Sequence, residues 1–139
     1  PLEKKISTLE ETKVIAGDFS KILNENDIIV LNGNLGSGKT TLIKFICSNY
    51  GIHDVNSPSF SIVNEYLGER KIYHFDFYRI KNIADIYDIG FEDYLNDEEA
   101  MIFIEWGSLM QEIIPANHYE IELKISTDKK RQIKISKKN

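Results

Sequence analysis

Residues 33–41 read GNLGSGKTT, directly after the apolar run IIVL at 28–31. Gly33, Gly38, Lys39 and Thr40 satisfy the phosphate-loop pattern G-x-x-x-x-G-K-[ST]. That pattern constrains the fold because it works only between a strand and a helix. Glycines at the bends let the backbone N–H groups wrap a phosphate. A helix beginning at the lysine then points its positive end at the same anion. Within this cradle Lys39 reaches β- and γ-phosphates, and the Thr40 hydroxyl is placed for Mg²⁺. The nucleotide-binding residues expected from the loop are Asn34, Leu35, Gly36, Ser37, Gly38, Lys39, Thr40 and Thr41.

The rest of the chain supplies a sheet for that strand. KKIST reads as a short strand, and Ser7 or Thr8 with Glu10 and Glu11 offers a capping box. Ile15, Phe19 and Ile22 then recur at helical spacing, predicting a helix to about Leu23. DIIVLNG is a buried strand of a parallel sheet, and the helix after the loop runs from about Lys39 to Asn49, ending near Gly51. SFSIVNEYLGERKIYHFDFYRI predicts two strands around a turn at Gly68. NIADIYDIGFEDYLND is acidic and helical in pattern; AMIFIEWG is an apolar strand ending in a carboxylate. SLMQEII is a short helix stopped by Pro115, and HYEIELKIS with RQIKIS closes the chain as a hairpin. The expected fold is α/β: a three-layer P-loop NTPase-like mixed sheet with inserted antiparallel hairpins, forming a single domain over residues 1–139.

Two acids stand out by position. Glu105 closes MIFIE, where a strand beside the phosphate-loop strand carries the acid that works at a metal or an attacking water. Asp76 lies in YHFDFYR; on a strand His74, Asp76 and Tyr78 share one face, and Phe75 and Phe77 the other. Lys39, Asp76 and Glu105 are therefore the catalytic candidates, and Thr40, Asp76 and Glu105 the metal candidates. Asp76 could instead serve structure, bonded to backbone or to Arg79, Glu105 could simply cap its strand end, and His74 alone reads as a satisfied, partly buried histidine. Trp106 follows Glu105, so alternation turns it away from the nucleotide unless the strand ends there and the ring shields the site. Asn56 to Tyr66 occupies the interval in which such proteins often hold a γ-phosphate-sensing segment.

Composition narrows the partners. The chain carries a net charge of −5, yet KKRQIKISKKN at its end has six Lys or Arg and no acid. The acidic body disfavours autonomous binding to DNA or RNA, while the basic end reads first as a solvated hairpin and tail and could also touch an RNA or an acidic partner. One cysteine, Cys47, excludes an internal disulfide and reads as a buried, inert thiol. No apolar run reaches the length of a membrane span and no charged-then-apolar leader opens the sequence, so a cytoplasmic protein with no membrane partner is expected.

In order, GNLGSGKTT at 33–41, SPSFSIVNEY at 57–66, YHFDFYRI at 73–80 and IEWG at 104–107 resemble the TsaE (YjeE) family over nearly the whole chain. The phosphate loop alone is widely shared; the set with an H-x-D-x-Y-R strand and an E-W strand end is specific. The resemblance implies a small ATPase of bacterial tRNA threonylcarbamoyladenosine (t6A) synthesis, using Mg²⁺ and supporting turnover of the TsaD–TsaB pair, with tRNA reached indirectly or weakly. It implies phosphate ligands in Lys39 and the loop amides, a Mg²⁺ ligand in Thr40 and an acid needed for hydrolysis in Glu105. It further implies a second site acid in Asp76, a tryptophan beside the nucleotide in Trp106, an arginine against it in Arg131 and a switch-like loop at Ser57–Ser61. The family commonly reads S-P-T-F-T where Ser59 and Ser61 stand here, which keeps the hydroxyls and loses the methyls; Gly107 and Ser108 also depart from the family and carry no assigned role.

Rival readings differ in chemistry. A small-molecule P-loop kinase needs a lid bearing several arginines, and Arg70, Arg79 and Arg131 are the only three in the chain. A guanine-nucleotide switch uses N-K-x-D, which does not occur. A module using ATP only as assembly glue has no need of the two carboxylates.

Overall fold

The computed structural model describes residues 2–34, 36–56, 62–78, 80, 82–106, 111–126, 128 and 130–139. Seven strands form one sheet in the order β1-β7-β6-β2-β5-β4-β3. They are β1 (Leu2–Ile6), β2 (Ile28–Gly33), β3 (Val63–Leu67), β4 (Lys71–Asp76), β5 (Ala100–Glu105), β6 (His118–Ile125) and β7 (Arg131–Lys138). The middle is parallel, with β2 between β5 and β6, and β4 beside β5. Antiparallel pairing of β3 with β4, β6 with β7 and β1 with β7 completes both wings.

Burial on both faces explains the unbroken apolar strands. All six residues of β5 are buried, as expected for a parallel strand covered on each side. On one face α1 (Leu9–Ile22) and α2 (Lys39–Ser48) pack through Ile15, Phe19, Leu42, Ile43 and Ile46 onto Ile29, Leu31, Phe103 and Leu123. On the other, α3 (Ile83–Asp88) and α4 (Phe91–Leu95) bring Ile86 and Phe91 against Val30, Phe75, Phe77, Ile102 and Ile104. Residues alternate between the two cores along β2 and β5, as the two-residue period requires. Thr8 is the α1 cap, accepting the Glu11 N–H at 3.2 Å.

Two details go beyond the sequence. The acidic segment is two short helices, because Gly90 sits at φ 78° and a left-handed residue cannot continue a helix. Of the SLMQEII helix, residues 108–110 lie outside the described residues and residues 111–113 make one tight turn before Pro115. Ser57–Ser61 also lie outside the described residues.

Candidate functional site

The parallel strands β2, β5 and β4 end side by side, and their C-terminal edge is where α/β sheets place ligands. Registration puts Leu31 of β2 opposite Glu105 of β5, and Glu105 opposite Asp76 of β4. The phosphate loop leaves β2 at Gly33 and enters α2 at Lys39. Gly38 caps α2 at φ 103°, where an L side chain is strained, and a Cβ there would stand 3.1 Å from Arg131 Nη1. A cavity of about 270 Å³ opens at this point, lined among others by Lys39, Thr40, Asp76, Glu105, Trp106 and Arg131. A roomier apolar hollow of about 380 Å³ between α1 and β7 gathers no such convergent chemistry.

Each group has a physical setting. Lys39 is only 5% exposed; its ammonium donates to the carbonyls of Gly33 at 2.7 Å and Asn34 at 3.1 Å. It also lies 4.0 Å from the centroid of the Trp106 ring, a cation–π contact. Burial pushes the Lys39 pKa down, opposed by the charges of Glu105 and Asp76. Thr40 Oγ1 donates to Glu105 Oε1 at 3.1 Å and Oε2 at 3.2 Å. Burial pushes the Asp76 carboxyl above its ordinary range; the Tyr78 N–H, donating at 3.0 Å, opposes this and the charge of Glu105 adds to it. Trp106 enters the cavity because the strand has ended: at φ 65° its backbone breaks the alternation, and the ring packs 4.9 Å from that of Tyr78.

Of the residues expected from sequence, Gly36, Gly38, Lys39, Thr40, Thr41, Asp76, Glu105, Trp106 and Arg131 all line this one cavity. Asn34 borders a neighbouring hollow, and its carbonyl accepts the Ser37 N–H at 3.0 Å. Ser37 is buried beneath the loop, its hydroxyl without a hydrogen-bond partner among the described residues. Leu35 and Arg79 lie outside the described residues. Sequence reasoning underrated His74. Rather than partly buried, it is fully so, with Nε2 2.6 Å from Glu105 Oε2. The shared face of His74 and Asp76 was legible; the lateral neighbour β5 was not.

The donors suit Mg²⁺: a hydroxyl and carboxylates are hard oxygen ligands. Among the described residues no group of three or more His, Cys, Asp or Glu could hold a metal unaided. A few protein oxygens completed by phosphate oxygens and water is the usual way Mg²⁺ is held. No helix of the described residues is long and apolar enough to cross a membrane.

A phosphate loop on a central parallel strand, two carboxylates on the adjoining strand ends and flanking helices define a P-loop NTPase-like protein. The comparisons refine this. Residues 6–133 match the model of the family described as threonylcarbamoyl adenosine biosynthesis protein TsaE. A TsaE of Rickettsia prowazekii is 36% identical over 137 residues, covering 96% of this chain and 94% of that protein. The Bacillus subtilis TsaE is 36% identical over 126 residues, 89% of this chain and 78% of its own. The crystal structure of Bacillus subtilis YdiB superposes with a TM-score of 0.80 at 29% identity, covering 99% of this chain and 86% of that one. The chain belongs to the TsaE family, involved in tRNA threonylcarbamoyladenosine biosynthesis.

Proposed function

We propose that this protein is an accessory ATPase that binds Mg·ATP at the phosphate loop and hydrolyses it to support turnover of the TsaD–TsaB complex in t6A modification. The observation that carries the reading is the meeting of Thr40 and Glu105: residues 65 apart in sequence come within 3.1 Å at the mouth of the loop. The amides of the loop and of the first turn of α2 hold the β- and γ-phosphates. Lys39 reaches them by exchanging one of its two carbonyl partners for a phosphate oxygen. Thr40 and Glu105, with Asp76 beside them, would hold Mg²⁺. When bound, Mg²⁺ supplies charge neutralisation on the transferring phosphoryl group. Glu105 orients the attacking water and accepts its proton, and Trp106 closes the side of the cavity over Lys39. Arg131, reaching from β7 to the loop, adds a cation near the γ-phosphate.

The scarcity of arginine at the cavity supports slow turnover by the isolated subunit. Arg70 is engaged on the Tyr50 ring, 4.9 Å from its centroid, which leaves Arg131 as the arginine lining the cavity among the described residues. A partner that orders the site would accelerate it.

The test is phosphate release from ATP by the purified protein, alone and with the TsaD and TsaB subunits, beside calorimetric binding of Mg·ATP. Lys39→Ala should weaken triphosphate binding itself. Glu105→Ala should keep binding and lose most partner-stimulated turnover; wild-type turnover in that variant refutes the assignment. Transfer of phosphate to an acceptor without release of free phosphate would replace the hydrolase by a kinase.

A further inference from the structure

Behind Glu105 a chain of buried polar groups runs away from the cavity. His74 Nε2 lies 2.6 Å from Glu105 Oε2, and its Nδ1 lies 3.0 Å from the Tyr66 hydroxyl. Tyr66 is anchored in turn: its hydroxyl oxygen accepts the Asn56 N–H at 3.2 Å, and its one proton lies between two acceptors, the Asn56 carbonyl at 2.8 Å and His74 Nδ1. His74 is 0% exposed and Tyr66 6%. Neither borders the cavity.

We propose that His74, itself held by Tyr66, is the positioning residue that fixes the Glu105 carboxylate for work at the phosphate loop. The proposal rests on the reading of Glu105 as the acid acting on Mg·triphosphate. A glutamate has three side-chain torsions, and this one has two holders. Thr40 lines the cavity, so its hydroxyl is shared with whatever the cavity contains. His74 lies outside the cavity and keeps Oε2 in place whatever is bound there. Its own backbone is fixed on both sides, opposite Asn64 of β3 and Phe103 of β4's other neighbour, β5. Tyr66 fixes the remaining freedom, the rotation of the ring. Since a carboxylate only accepts, the proton of the 2.6 Å contact belongs on Nε2. Partners that orient a metal-ligating carboxylate in this way are commonly worth on the order of 10- to 100-fold in activity or metal affinity.

Two measurements decide it. Long-range ¹H–¹⁵N correlation spectra of the ¹⁵N-labelled protein report which ring nitrogen of His74 is protonated, independently of any hydrolysis. A protonated Nε2 with slow solvent exchange, lost or displaced in Glu105→Gln, is expected; an unprotonated Nε2 overturns the proposal. The second compares His74→Gln with His74→Asn, because a glutamine amide nitrogen reaches about as far as Nε2 and that of asparagine falls short. The asparagine variant should lose about tenfold or more in kcat with the Kd for Mg·ATP within about twofold, and the glutamine variant should recover part of that loss. Unchanged kcat in the asparagine variant, or equal losses of kcat and binding in both, refutes positioning. Should wild type bind Mg·ATP without releasing phosphate, the hydrolase reading fails, and the nitrogen spectrum still decides whether His74 holds Glu105.

Discussion

Replacing Gly38 by alanine tests whether the loop geometry and Arg131 act together. At φ 103° and ψ 19° this residue occupies backbone space that L side chains avoid, and left-handed placement costs roughly 1–2 kcal/mol. For a chain of this length that strain lowers the melting temperature by about 3–8 °C. The new methyl would also stand 3.1 Å from Arg131 Nη1, so the guanidinium must move off the loop. Gly36→Ala separates the two effects. Gly36 also has a positive φ, of 80°, but nothing lies within 4 Å of where its Cβ would be. Thermal unfolding should therefore show both variants destabilised, while calorimetric titration with Mg·ATP should show the larger loss of affinity in Gly38→Ala. Combined with Arg131→Ala, the Gly38→Ala loss should be less than additive, since both changes remove the same cation from the loop. A Gly38→Ala protein as stable as wild type, or one binding Mg·ATP as well as Gly36→Ala does, would refute the reasoning.

Two further outcomes follow from buried titratable groups. Burial holds the folded-state pKa of Asp76 above its unfolded value, so its protonated form favours folding at low pH, and that contribution is lost as pH rises through the folded value. Asp76→Asn should thus melt higher than wild type at neutral pH, with the advantage shrinking as pH falls below the carboxylate range; equal melting curves across that range would contradict this. Cys47 is 0% exposed and burial pushes its thiol up to about 12, so a thiol reagent at neutral pH should label it only as fast as the protein opens. Rapid stoichiometric labelling of the native protein would show the helix packing to be looser than described.

Much of this protein is local information and so legible in the chain. The order of strands and helices, the phosphate loop and the placement of Glu105 at a strand end all follow from apolar periodicity and glycine placement over short windows. The resemblance to the TsaE family also rests on short motifs in order, and the family model bears it out. Registry across strands is different, because it depends on pairing between segments far apart in sequence. Only the folded sheet sets Glu105 opposite both Leu31 and Asp76 and brings Arg131 from the closing hairpin to Gly38. The same pairing turns His74 from a buried histidine into the partner of Glu105. Trp106 shows the limit most clearly: a two-residue period sends it away from Glu105, and one residue at φ 65° brings it back over Lys39. Periodicity determined which residues could share a face, and lateral packing decided which of them meet.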